Sequence, residues 1–280
     1  MSTAPNIPTE ALPQGFAWSA VRAGIKPSGN LDLALAVAPE GATAAAMFTR
    51  NQVVAAPITV GRRHLSATGG SVKALLVNAG NANCASGEPG IRACIDTCRA
   101  AAQTLGCIFD EVFPSSTGII GVPLPAEKII ATLPDAVAAL GSTPAHAQLF
   151  ATAIMTTDTR LKTASATIGE PGNQAHIFGC AKGAGMIHPQ LGAAVPGSAP
   201  PHATMLVYLF TDIAATPADL RAALEPAAES TFNSISIDGD TSTNDTVLLL
   251  ASGASGIALT PETRAAFDGR RGLRQRRLSS

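Results

Sequence analysis

The stretch KGAGMIHPQLGAAVPGSAPPHATMLVYLFTD, Lys182 to Asp212, decides how the rest of the chain is read. It opens on a glycine-rich turn and passes through a Pro/Gly/Ala loop. It then enters ATMLVYLFT, an apolar, partly β-branched run that reads as a buried strand. The junction is Ala203-Thr204. A threonine hydroxyl is a poor nucleophile without a base beside it, and one solution is the threonine's own freed α-amine, whose pKa is near 8. That solution needs a chain cut immediately before the threonine. Here a small residue precedes Thr204, a flexible loop lies upstream, and a rigid strand lies downstream to hold the new terminus. On the local pattern alone, an ordinary loop feeding a strand that begins with Thr is the simpler reading.

Working outward, the alternation in LDLALAVA and the run TAAAMFT suggest paired strands, with Lys26-Pro27-Ser28-Gly29 supplying a turn. Lys73 to Val77 is a short apolar strand that ends in the polar turn Asn78-Ala79-Gly80-Asn81-Ala82-Asn83, which leads to a helix. Unpaired N–H groups at a helix start attract anions, so this turn is either a ligand position or an ordinary connection. Ile91, Cys94, Ile95, Cys98 and Ala102 share one face of that helix, which stops at Gly106. In Phe113-Pro114-Ser115-Ser116-Thr117-Gly118, a hydroxyl beside a glycine N–H suits an oxyanion hole, although Ser/Thr/Gly clusters also make plain turns. Helices are expected at Pro125–Leu140 and at Pro144–Met155, the second capped by Thr143, and another starts at Thr216-Pro217 and runs to about Phe232. LKTASATI, AHIFGCAKG and the Thr204 strand read as an antiparallel set, and TVLLLAS as a central strand. The loop DGDTSTND offers calcium-type ligands at Asp238, Asp240, Ser242 and Asn244. It fails as a calcium loop, because Thr243 replaces the glycine and Leu249 stands where the closing glutamate belongs.

Several of these stretches together resemble one family. KGAGMIHP followed by Ala203-Thr204-Met205-Leu206 is similar to the self-cleavage signature of the ornithine acetyltransferases of arginine biosynthesis, the ArgJ family. AGIKPSGNLDLALAV, FTRNQVVAAPI, LLVNAGNANCASG, PSSTGIIGVPLP, AIMTTDTRLK and SISIDGDTSTNDTVLLLASG match it in order, from about Gly15 to Gly253. The resemblance implies autocleavage between Ala203 and Thr204 and ping-pong transfer of an acetyl group from N2-acetylornithine to L-glutamate. Thr204 is then the nucleophile, Thr117 and Gly118 stabilise the oxyanion, and Thr156 and Lys182 contact substrate. Some family members also use acetyl-CoA as donor. The family needs no metal or organic cofactor and assembles from two α and two β chains. The DGDTSTND turn buttresses its active site. Two other readings stay open: an amidase or aminopeptidase using the same self-processed nucleophile, and an inactive remnant.

The fold expected is α/β, a sandwich of mixed and antiparallel sheets between helix layers, of the self-processed N-terminal-threonine nucleophile type. Residues 1–14 form a loose arm and 15–260 the catalytic domain, with an α chain of 1–203 and a β chain from 204. Residues 261–280 form an aberrant tail that holds six of the 19 basic residues, in place of the family's C-terminal region. Between His188-Pro189 and the cleavage dipeptide, GAAVPGSAPP lengthens the loop, which costs only about 0.6 kcal/mol per doubling of length.

At 280 residues, with 46% hydrophobic and 14% charged residues, the chain can bury a sizeable core. A formal net charge of −1 gives no field that favours nucleic acid, and no apolar run is long enough for a bilayer. Without a signal-peptide pattern, the expected location is cytoplasmic. The five cysteines, an odd number, are expected as free thiols.

Overall fold

In chain order the elements are β1 (Ala17–Val21), β2 (Leu33–Thr49), α1 (Ala56–Ala67), β3 (Ser71–Asn81), α2 (Gly87–Leu105), β4 (Val112–Ile119), α3 (Ala126–Ala138), α4 (Pro144–Ala153), β5 (Lys162–Glu170), β6 (Asn173–Lys182), β7 (Leu191–Gly192), β8 (Leu206–Thr211), α5 (Pro217–Ser230) and β9 (Thr246–Ala251). They come from a computed structural model that describes residues 12–170, 172–183, 191–192, 204–234, 241–260 and 263. The expected α/β architecture is present, its mixed pairing carried by a nine-stranded sheet in the order β4-β3-β2-β9-β8-β6-β5, with β1 and β7 also paired to β2. The pairs β3/β4 and β8/β9 are parallel; the others are antiparallel. The predicted antiparallel set β5-β6-β8 is found as expected.

The apolar run of β8 reads as continuous because both faces are covered. Leu206, Tyr208 and Phe210 point into one core and Val207 into another beneath α5, while β9 divides Leu248 and Leu250 from Val247 and Leu249 in the same way. A third core lies under α2 and α3, against Leu33, Leu35, Ala74 and Leu76. Phe210 is the hub of the aromatic packing, with ring centroids 5.3 Å from Phe16, 5.5 Å from Trp18, 5.9 Å from Phe150 and 6.1 Å from Phe178. Three of these four are edge-on, the arrangement that ring quadrupoles favour.

Four expectations need correction. LDLALAVA and TAAAMFT do not pair with one another. From Leu33 onward they form the single strand β2, which stays continuous across a register shift between Val37 and Ala42, with Gly41 at φ +86°. The partner of its first half is β1, and the loop between them is fixed by Asp32, whose buried carboxylate accepts from the N–H groups of Ala23, Ile25 and Lys26 at 2.6, 2.6 and 2.9 Å. The expected Lys26–Gly29 turn lies within it. Second, Asn78 to Asn81 continue β3 rather than turn, because they keep pairing with Ser116 to Ile119 of β4. Third, Thr143 does stand at the N-cap of α4, but its hydroxyl bonds the His146 ring at 2.7 Å instead of a backbone N–H. Fourth, the arm does not stay loose through residue 14: Leu12 is buried in the core, and the Gln14 N–H donates to Asp212. Residues 1–11 and, save 263, the tail 261–280 lie outside the described residues.

The helices otherwise follow their signals. α2 ends at Gly106 in the left-handed conformation, and Thr216 caps α5 in a reciprocal box with Asp219. Among the described residues, no helix is long and apolar enough to cross a membrane. If Phe210 carries the packing described, Phe210→Ala lowers the unfolding free energy by about 3–5 kcal/mol in a urea titration; a loss under about 1 kcal/mol contradicts this view of the core.

Candidate active site

Four chain segments meet at one end of the sheet. β4 delivers Thr117 and Gly118, β6 ends on Lys182, Thr204-Met205 lead into β8, and residues 241–245 lead into β9. Backbone pairing sets the last three in register, with Lys182 opposite Leu206 and Leu206 opposite Thr246. Thr117, Lys182 and Thr204 are all buried.

The Lys182 ammonium bridges two of these segments, donating to Thr117 Oγ1 at 3.0 Å and to the Thr204 carbonyl oxygen at 2.9 Å. Because Thr117 Oγ1 accepts from the ammonium, its own hydrogen is free to point elsewhere, which an oxyanion donor requires. Burial is the main cause that lowers the Lys182 pKa to about 8; Asp158 and Asp245 act against it, and Lys162 and Lys26 with it. Thr204 Oγ1 lies 3.0 Å from Ser242 Oγ, and either hydroxyl can donate. Ser242 Oγ in turn accepts from the Asn244 N–H at 3.2 Å.

Asp245 holds the head of β8 in place. Its Oδ1 accepts from Met205 N at 2.7 Å and its Oδ2 from Ser242 N at 3.3 Å. Burial pushes its carboxyl up to about 7, while those two N–H groups, the Lys182 charge and the Ser242 side chain favour the ionised form. The 241–245 turn is itself clamped by the end of β2 and by the residues after it: Thr49 Oγ1 donates to Ser242 O at 2.6 Å and Asn51 Nδ2 to Thr241 O at 2.8 Å. Asn244 Nδ2 donates to Ala82 O at 2.7 Å and Ser116 O at 3.0 Å, tying the turn to β4.

The sites named from the sequence separate into two groups. Thr117, Lys182 and Thr204 lie in contact through the lysine, and Gly118 adjoins them at φ +134°. A Cβ on Gly118 would stand 2.2 Å from the carbonyl carbon of Gly80, so only glycine fits where β4 pairs with β3 at the register shift of Gly80 and Asn81. Thr156 is exposed, and its N–H reaches Asp158 Oδ2 at 3.5 Å. Asp158 is what binds that loop to the site, since its Oδ1 accepts from Gly183 N at 2.8 Å and from Lys162 Nζ at 2.7 Å. Burial would raise the Asp158 pKa, but Lys162, the Gly183 N–H and Lys182 outweigh it and the net shift is downward. Ala203, on the far side of the expected cut, lies outside the described residues, as does the stretch 235–240, which holds Asp238 and Asp240 of the loop rejected as a calcium site.

Ser242, Asp245 and Asp158 were not singled out as active-site groups from the sequence. A clue to the first two was a run of polar residues, Thr241 to Asp245, placed directly before a fully apolar strand. The asparagine-rich segment takes a structural role instead. Asn78 Oδ1 accepts from Ser116 Oγ at 2.6 Å, Asn81 Oδ1 from Asn83 N at 2.7 Å, and Asn83 Oδ1 from Ser86 Oγ at 3.1 Å. Among the described residues, no three His, Cys, Asp or Glu side chains gather as a metal site.

A sequence model of the ArgJ family matches residues 17–271, which runs into the stretch set apart as a tail. The chain belongs to the ArgJ family. It is 48% identical over 245 residues to the arginine biosynthesis bifunctional protein ArgJ of Thermus thermophilus, a match covering 88% of this chain and 59% of the relative. For the Parasynechococcus marenigrum protein of the same name the identity is 42% over 241 residues, covering 86% of this chain and 56% of the relative. The chain thus spans well under two thirds of the length of these relatives. Among solved structures it is similar to the ArgJ protein of Bacillus halodurans, with 33% identity, a TM-score of 0.61, and coverage of 66% of this chain and 93% of that one. It is also similar to the ornithine acetyltransferase of Mycobacterium tuberculosis, solved with ornithine, with 36% identity, a TM-score of 0.57, and coverage of 64% and 94%.

Gly118→Ala tests this close pairing. It should lower stability by at least about 2 kcal/mol as read from the urea midpoint, and an unchanged midpoint would show that the β3–β4 contact is looser than described.

Proposed function

We propose that this chain carries the acetyl-transfer centre of an ArgJ-type enzyme and that Thr204, freed by self-cleavage after Ala203, is its nucleophile. The observation that carries this reading is the buried Thr204 hydroxyl at the head of β8, with a hydroxyl partner at 3.0 Å and the Lys182–Thr117 bridge alongside. The names of the relatives place the family in arginine biosynthesis, and ornithine bound to the M. tuberculosis relative points to an amino-acid substrate.

In this reading, the Thr204 α-amine takes the hydroxyl proton as Oγ1 attacks the acetyl carbonyl of N2-acetylornithine. Thr117 and the Gly118 N–H stabilise the oxyanion, the amide C–N bond breaks, and ornithine leaves with a proton from the amine. The α-amine of glutamate then attacks acetyl-Thr204 and gives N-acetylglutamate, regenerating the hydroxyl. Acetyl-CoA could load the same acetyl-threonine, since the intermediate is common to both donors. Lys182 spends two of its three hydrogens on Thr117 and Thr204, which leaves one for a substrate carboxylate. Thr156 is assigned to substrate contact from the exposed loop that Asp158 ties to Gly183. We also place the enzyme in the cytoplasm as a tetramer of two α and two β pieces; its five unpaired cysteines suit a reducing compartment.

Incubation with N2-acetylornithine, with and without glutamate, should give ornithine release that depends on glutamate, and Thr204→Ala should abolish both self-cleavage and release. Release without glutamate would favour a hydrolase. Because Lys182 is charged below about pH 8 and neutral above it, KM for the carboxylate substrates should rise as pH passes 8. A KM flat to pH 10 would remove Lys182 from substrate recognition.

A further inference from the structure

The amine that serves Thr204 during acetyl transfer does not exist during self-cleavage. Until the Ala203–Thr204 bond breaks, the nitrogen of Thr204 is an amide, which has no basic lone pair to accept a proton. Some other group must therefore deprotonate the hydroxyl in the step that creates the enzyme. Lys182 is an unsuitable candidate, because its ammonium is directed at the Thr204 carbonyl oxygen and at Thr117, not at Thr204 Oγ1. The group on Thr204 Oγ1 is Ser242, at 3.0 Å and itself buried.

We propose that Ser242 relays the Thr204 proton to Asp245 and that this relay is the general base of self-cleavage. This rests on the reading of Thr204 as a processed nucleophile. Ser242 is the catalytic residue of processing, since it touches the reacting oxygen, and Asp245 acts through it. Asp245 is buried; one oxygen accepts the Ser242 backbone N–H at 3.3 Å, which seats the carboxylate against that residue, the Ser242 side chain acts on the carboxylate as a further hydrogen-bond partner, and the other oxygen is fixed by Met205 N at 2.7 Å, one residue from the scissile bond. Its elevated pKa of about 7 supports the assignment, because a base works best when its pKa lies near the working pH. The charges facing the site are Lys182 from β6, with Asp158, Lys162 and Lys26 acting on Lys182 in turn.

The step balances as follows. Thr204 Oγ1 bonds to the Ala203 carbonyl carbon while its proton moves to Ser242 Oγ and the Ser242 proton moves to the Asp245 carboxylate. The tetrahedral intermediate expels the Thr204 nitrogen, which takes the proton back along the same path and becomes an amine. Water then hydrolyses the Ala203 ester, leaving a carboxylate on Ala203 and a free hydroxyl and amine on Thr204. The same serine can afterwards assist transfer. Within one residue the amine and hydroxyl form a five-membered ring with the proton, an angle at which hydrogen bonds weaken steeply, and a bridging hydroxyl relieves it.

The test uses the full-length chain made by cell-free translation, shifted into buffers from about pH 5 to about pH 9, with cleavage timed on a denaturing gel. Asp245 is the base in its ionised form, so the wild-type rate should rise about tenfold per pH unit below about 7 and level off above it. Ser242→Ala should slow cleavage by at least about 100-fold, and Asp245→Asn, which keeps an acceptor for Met205 N, should abolish the inflection, with circular dichroism confirming the fold of each. Cleavage of folded Ser242→Ala within about threefold of wild type, or a wild-type profile with no inflection near 7, overturns the relay while leaving the nucleophile assignment standing. A wild-type chain that stays intact at every pH overturns both.

Discussion

The site depends on one buried ammonium. Lys182 ends β6 and reaches across to both the carbonyl of Thr204 and the hydroxyl of Thr117, joining three strands that are far apart in sequence. Withdrawing a charge from water is costly unless its hydrogens are satisfied, so the position of Lys182 is set as much by what it must donate to as by the strand that carries it. Its two acceptors gain in return. The Thr204 carbonyl is fixed in the residue whose N-terminal bond is proposed to be cut, and the Thr117 hydroxyl is left with its hydrogen directed away from the lysine.

The proposed self-cleavage requires that the two pieces stay together, and the sheet offers the means. β8 is an interior strand paired to β6 on one side and β9 on the other, with side chains buried on both faces. After a cut before Thr204, β8 and β9 belong to one piece and β6 to the other, so the mixed sheet itself is the joint between them. Met205, one residue into the new piece, is anchored by Asp245, and Thr246 N donates to its carbonyl at 3.0 Å. The terminus that the proposed cut would create is thus already held in the uncut chain.

Elements whose signals are local were legible in the sequence. The stop of α2 at Gly106, the Thr216–Asp219 cap and the apolar β8 each depend on residues within a few positions. The length of β2 was not legible, because Pro39-Glu40-Gly41 has the composition of a turn and only pairing with β3 and β9 keeps it extended. At the site, Thr117, Gly118 and Lys182 were reached through family resemblance, since a threonine, a glycine and a lysine carry no signal of convergence. Ser242 and Asp245 carry no such local signal, because their partners stand 38 and 40 positions earlier in the chain, and nothing in DGDTSTND says which strand end it will face.

The central claim is that residue 204 becomes an amino terminus, and N-terminal sequencing of the folded, purified protein addresses it most directly. The account predicts two sequences in equal amount, the start of the chain and Thr-Met-Leu-Val from Thr204 to Val207. A folded sample that yields the first alone would contradict it.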